Sequence, residues 1–152
     1  MIELIIDPDE KERVAALILA DLPDWFGIPE STAQYVTGSR EKPFWAAVED
    51  GQPAGFIVLQ ETGPKTVEIF VMGVLRDRHG RGIGTALWEA FRAYAKSRGY
   101  EYAQVKTVKR GHYSEYDRTN DFYEHLGFRE LECFPTLWDE QNPCQVYIQF
   151  LG

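Results

Sequence analysis

Apolar and polar positions alternate first in Ile2-Glu3-Leu4-Ile5-Ile6, which predicts a strand. Asp7-Pro8-Asp9-Glu10 then supplies a cap, an early proline and acids, so a helix starts there. Val14, Leu17 and Ile18 give that helix an apolar face. Residues 21–30 read as a loop containing Leu22-Pro23-Asp24-Trp25-Phe26-Gly27, and a short helix after it ends near Gly38. Pro43–Val48 and Ala54–Gln60 read as a hairpin around Asp50-Gly51-Gln52-Pro53. A strand over about Thr66–Leu75 runs into His79-Gly80-Arg81-Gly82-Ile83-Gly84. Beyond it Ile83, Ala86, Leu87, Ala90, Phe91 and Tyr94 recur at helical spacing, and Gly99 ends the helix. Tyr102–Thr107 is the next strand, followed by a polar and aromatic loop, Lys109–Tyr116, and a helix ending at Gly127. Strands near Phe128–Phe134 and Gln145–Leu151 complete the chain, with Thr136-Leu137-Trp138-Asp139 between them. The order predicts an α/β chain with a mixed sheet, because hairpins and a crossover both occur.

Composition narrows the class. A chain of 152 residues suits one domain with a substantial core, and no internal repeat or linker divides it. No segment approaches the roughly 20 apolar residues of a membrane span. No basic segment leads into an apolar signal core, so the expected location is cytoplasmic, away from membranes. A formal net charge of −8 argues against nucleic-acid binding. Arg76, Arg78 and Arg81 run against that sign around the glycine turn and suit a phosphorylated ligand. Cys133 and Cys144 lack zinc-ligand spacing, so no metal site is expected; both fall in strands and read as buried free thiols, with a disulfide left open.

The glycine turn carries the most chemistry. Gly80, Gly82 and Gly84 remove Cβ atoms that would hold a ligand away from the backbone. The helix beginning there leaves N–H groups unpaired and carries partial positive charge, which suits a pyrophosphate. Arg78, His79 and Arg81 can add cationic contacts. A Rossmann pattern would need glycine at Thr85, and no Gly-Lys-Ser/Thr phosphate loop is present.

The element order together with this turn resembles the GNAT superfamily of N-acetyltransferases, of bacterial single-domain type, over nearly the whole chain. The family's Gln/Arg-x-x-Gly-x-Gly/Ala signature aligns with His79-Gly80-Arg81-Gly82-Ile83-Gly84, His79 being the departure. Phe122-Tyr123-Glu124-His125-Leu126-Gly127-Phe128 is similar to the family's Phe-Tyr-x-x-x-Gly-Phe ending of the fourth helix. Tyr116 and Thr119 stand where the family commonly has asparagine and alanine. The Trp-Phe-Gly and Leu-Trp-Asp segments resemble those of a bacterial GNAT subgroup.

The resemblance implies a mixed, mainly antiparallel sheet with flanking helices and a splayed cofactor cleft, as one N-acetyltransferase domain over 1–152. It implies acetyl-CoA as cosubstrate and a small-molecule or peptide amine as acceptor; a homodimer stays open. In the implied arrangement pantetheine adds to the fourth strand, with Met72 N–H at the thioester oxygen and Val74 pairing with the arm. His79, Gly80, Arg81, Gly82, Ile83, Gly84 and Thr85 would hold the phosphates. Tyr123 would protonate the departing thiolate. Glu68 matches the general base of the histone-acetylating branch by its offset from the turn. Regular alternation would put the Glu68 and Met72 side chains on one face, roughly 13 Å apart. The acceptor would meet Trp25-Phe26, the Lys109–Tyr116 loop and Thr136–Asp139. A noncatalytic acyl-CoA-sensing or protein-binding module of the same fold is the alternative, and a dinucleotide-binding domain a distant third.

Overall fold

The computed structural model describes residues 1–152. Strand β1 (Ile2–Ile5) precedes helices α1 (Pro8–Ala20) and α2 (Pro29–Gly38). Strands β2 (Phe44–Glu49), β3 (Gln52–Gly63) and β4 (Thr66–Val74) follow, then α3 (Ile83–Ser97) and β5 (Tyr102–Val108). Helix α4 (Ser114–His125) leads to β6 (Arg129–Asp139) and β7 (Asn142–Phe150). The predicted order is reproduced. The final hairpin is longer than expected: Thr136-Leu137-Trp138-Asp139 lies inside β6 rather than between strands.

The sheet has seven strands in the order β1-β2-β3-β4-β5-β7-β6. Only β4 and β5 run parallel; every other pair is antiparallel. The parallel pair follows from the chain itself, since α3 must cross the sheet between β4 and β5.

Each strand sends alternate side chains to opposite faces. Phe44, Ala46, Phe56 and Val58 pack with Val14, Ile18 and Leu19 of α1. Trp45, Ala47, Ile57 and Leu59 pack with Leu87, Trp88 and Phe91 of α3, and Tyr123 of α4 belongs to that same core. So α1 covers one face, and α3 with the end of α4 the other. Two side-chain assignments change. Leu17 is exposed while Ala15 and Leu19 of α1 are buried; Ala86 is exposed while Trp88, unremarked in the periodicity, is fully enclosed.

Two irregularities shape the middle of the sheet. β4 pairs with β5 only at Thr66, Val67 and Glu68, opposite Tyr102, Ala103 and Gln104. On its other side β4 stays paired with β3 out to Val74, but the register skips Phe70, with Leu59 opposite Ile69 and Val58 opposite Val71. That extra residue is a β-bulge, which bends the strand and reverses the inside–outside alternation beyond it. Val67 and Ile69 consequently lie in the α3-side core, whereas Val71 lies in the α1-side core. Just past Glu68, β4 bends away from β5 and the sheet opens.

Candidate active site

The opening is a cleft of about 1170 Å³, lined by β4 from Glu68 to Val74, the glycine turn, α4, the α1–α2 segment and the β6–β7 tip. Its floor is unpaired strand edge. Leu75 N–H donates to Ala54 O across to β3 at 2.8 Å. Alternation therefore turns Gly73 and Val71 toward β3, and the N–H and C=O of Met72 and Val74 into the cleft. The Val74 carbonyl already has a partner, because His79 Nε2 lies 2.8 Å from it. A carbonyl only accepts, so Nε2 carries the hydrogen. The Met72 and Val74 N–H groups remain for a ligand.

At the rim, α3 starts without a side-chain cap, on Gly82 at φ 81°. The first backbone donor satisfied by the helix is Ala86, to Gly82 O at 3.0 Å. No N–H from Gly80 to Thr85 has a partner in the protein. An uncapped helix start with a run of free donors is built for an anion. Gly80 and Gly82 both adopt left-handed φ, a conformation that disfavours side chains. Gly84 serves a different purpose: a Cβ there would lie 2.8 Å from the Phe122 ring, so the glycine lets α3 and α4 touch.

The arginine cluster is mostly committed elsewhere. Arg76 pairs with Asp24 at 3.2 Å and Arg78 with Glu49 at 2.6 Å. Arg81 has no ion pair but does not line the cleft. The basic side chains that do line it, besides His79, are Lys106 of β5 and Arg118 and His125 of α4. None of these was singled out from sequence; Arg118, Phe122 and His125 share one face of α4 by their helical spacing.

Tyr123 lines the same cleft and is largely buried, against Phe128 and Tyr147. Its hydroxyl has no partner and is not among the enclosed orphan atoms, so it is open to a ligand. Burial pushes the phenol pKa well above its ordinary value, with smaller contributions from Tyr116 and Tyr35. The group stays protonated at neutral pH and keeps its proton to donate. Its helix is fixed by Asn120, which sequence reasoning missed. Asn120 Nδ2 donates to Val108 O at 2.9 Å, on the open edge of β5, and to Tyr116 O at 2.7 Å. Tyr147 Oη donates to Asn120 Oδ1 at 2.5 Å. An asparagine three residues before Tyr123, on the same helix face, was the available signal.

Glu68 Oε2 accepts from Lys106 Nζ at 2.6 Å, and Oε1 has no hydrogen-bond partner. Its face differs from the expectation. Met72 and Val74 pack on the α3-side core, whereas Phe70, two residues beyond Glu68, packs on the α1 side. The bulge separates Glu68 from Met72, so the two side chains do not share a face. Glu68 sits with Tyr35 and Phe70, and Tyr123 sits with Met72, on opposite sides of the strand.

Trp25 and Phe26 line the cleft on the α1 side, and Leu137, Trp138 and Asp139 of β6 also line it. Trp25 Nε1 donates to Thr119 Oγ1 at 3.1 Å, and Tyr116 Oη donates to Trp25 O at 3.1 Å. The Trp25 ring also meets His79 edge-on at 6.1 Å. Of the Lys109–Tyr116 loop only Tyr116 lines the cleft. Cys144 is buried and Cys133 half-buried; both are free thiols. No three His, Cys, Asp or Glu side chains are grouped as metal ligands would be.

The family model for the GNAT acetyltransferases matches residues 11–128. The chain belongs to the GNAT acetyltransferase family. No functionally curated sequence matches it. A GNAT-family protein from Desulfovibrio desulfuricans superposes with a TM-score of 0.84 at 16% identity, covering 100% of this chain and 99% of that one. An aminoglycoside 6'-N-acetyltransferase complexed with coenzyme A gives 0.79 at 19%, covering 100% and 97%. The ribosomal-protein-S18-alanine N-acetyltransferase from Escherichia coli gives 0.75 at 16%, covering 100% and 95%. At such identity the likeness shows the fold. The GNAT family uses acetyl-CoA, and no helix here is long and apolar enough to cross a membrane.

Proposed function

We propose that the chain is an acetyl-CoA-dependent N-acetyltransferase acting on a primary amine, as one domain over 1–152. The carrying observation is the open edge of β4, with Met72 and Val74 N–H directed into a cleft that ends at an uncapped helix. The free N–H groups of Gly80–Thr85 would hold the pyrophosphate, and Arg118, which lines the same cleft, would add charge. The Val74 N–H would pair with the pantetheine arm, and the Met72 N–H would stabilise charge growing on the carbonyl oxygen. Acetyl-CoA supplies a reactive thioester. Tyr123, protonated and unpaired on the Met72 side, would donate to the departing sulfur. Glu68, on the α1 side with Oε1 free, would take the amine proton directly or through a water. The bulge thus puts the proposed acid and base on opposite sides of the reacting strand.

Two of the structural neighbours named above are, by name, N-acetyltransferases of an aminoglycoside and of the alanine of ribosomal protein S18. A noncatalytic acyl-CoA sensor needs the phosphate site and the β4 edge but has no use for Tyr123 and Glu68 flanking it. Calorimetry with acetyl-CoA, followed by detection of free thiol with an amine pool, tests the proposal. Binding with amine-dependent thiol release is expected. Binding without any release across amine classes would favour the sensor.

A further inference from the structure

The amine-side mouth is aromatic and nearly neutral, which restricts what can enter it. Phe26, Tyr35 and Phe70 form an edge-to-face series at 5.9 and 5.4 Å between ring centres. Ile28, Leu137 and Trp138, which line the same cleft, are 62%, 56% and 45% exposed. These three come from a loop and a strand more than a hundred positions apart, and the fold brings them to one opening without burying them. Unburied apolar side chains gathered around a concave mouth mark a place where a ligand completes the packing.

Charge gives the second constraint. Only two carboxylates line the cleft, Glu68 and Asp139. Glu68 is matched by Lys106 at 2.6 Å. Asp139 accepts from Asn142 Nδ2 at 2.8 Å and from Gln141 N–H at 2.9 Å, with no cation on it. One unmatched carboxylate suits one ammonium. A polycation would put its further ammonium groups against Lys106 and the aromatic wall, where desolvated charge is costly.

We infer that the acceptor is a small amine with a single positive charge and an aromatic or branched apolar body, seated between the Phe26–Tyr35–Phe70 wall and Trp138. This rests on the acetyltransferase reading. Initial rates of CoA-thiol release test it, at saturating acetyl-CoA, with 2-phenylethylamine, methylamine, spermidine, kanamycin and a lysine-bearing peptide. 2-Phenylethylamine is expected to exceed methylamine in kcat/KM by roughly 10- to 100-fold, the gain from burying one ring, and to exceed both polycations and the peptide. Trp138→Ala should raise its KM about 10-fold with little change in kcat. Lys106→Gln should move the preference toward spermidine, a gain that misfolding does not produce. Turnover of a polycation or the peptide at or above that of 2-phenylethylamine overturns the inference. So does calorimetric binding of acetyl-CoA with 2-phenylethylamine inert. Absence of acetyl-CoA binding overturns the acetyltransferase reading itself.

Discussion

At the scale of single residues, Tyr123 and Glu68 differ in how their surroundings prepare them. The Tyr123 ring is locked among Phe128, Tyr147 and Phe122 while its hydroxyl is unpaired. Tyr123→Phe keeps the ring and the packing. Turnover should fall by about 100- to 10,000-fold, the usual worth of a general acid, with calorimetric acetyl-CoA affinity nearly intact. Wild-type turnover in the folded variant would remove Tyr123 from the chemistry. Glu68 is held by Lys106 through one oxygen only. Glu68→Gln removes the proposed base at constant size. The rate defect should be largest at low pH, where the acceptor is mostly protonated, and should shrink as pH rises. Rates equal to wild type at every pH would leave Glu68 as a partner for Lys106 alone.

At the scale of elements, the glycine turn combines two geometries that the sequence shows as one motif. Gly82 has φ 81° and open space around its absent side chain, so it is glycine for its backbone. Gly84 has a helical conformation and a Cβ position 2.8 Å from Phe122, so it is glycine for contact with α4. The two should fail differently. Gly82→Val strains the helix start and misdirects the free N–H groups, so acetyl-CoA affinity should drop sharply. Gly84→Val should lower affinity and turnover together, because displacing Phe122 moves its neighbour Tyr123. Paired calorimetry and kinetics on both variants separate these effects; unchanged affinity in folded Gly82→Val would move the phosphate site elsewhere. The β4 bulge belongs to this scale as well. A sequence with β-branched or aromatic residues at four of the five positions Val67–Val71 reads as an unbroken strand. Which residue is skipped depends on how β3 pairs with it, and that pairing decides the faces of Glu68 and Met72.

At the scale of the molecule, several protons are held by burial. Cys144 is pushed from 9.0 up to about 11 by desolvation, against a lowering by Lys106. Burial pushes Tyr116 from 10.0 to about 12, and burial with the nearby Glu124 does the same for Tyr147. Tyr123 is shifted further in the same direction. The unfolded chain releases these protons at lower pH than the folded chain, so folding binds protons across that window. Stability from these groups is complete below about pH 9 and declines as pH rises through 9 to 12. Urea midpoints measured from pH 8 to 11 should fall steadily at the upper end. A flat profile would show that the core admits the ionised forms.

The sequence alone determined the element order, because hydrophobic periodicity, caps and glycine stops are local properties of the chain. It also located the glycine turn and the Phe122–Phe128 segment, since both are contiguous. What the sequence left undecided depends on residues distant along the chain. The Lys106–Glu68 pair, the commitment of Arg76 and Arg78 to Asp24 and Glu49, and the Asn120 tether each join separate elements. The same holds for the mouth shared by Ile28 and Trp138. Local pattern fixes which side chains a strand offers to each face. Only strand pairing fixes the register, and with it the bulge that puts the proposed acid and base on opposite sides of β4.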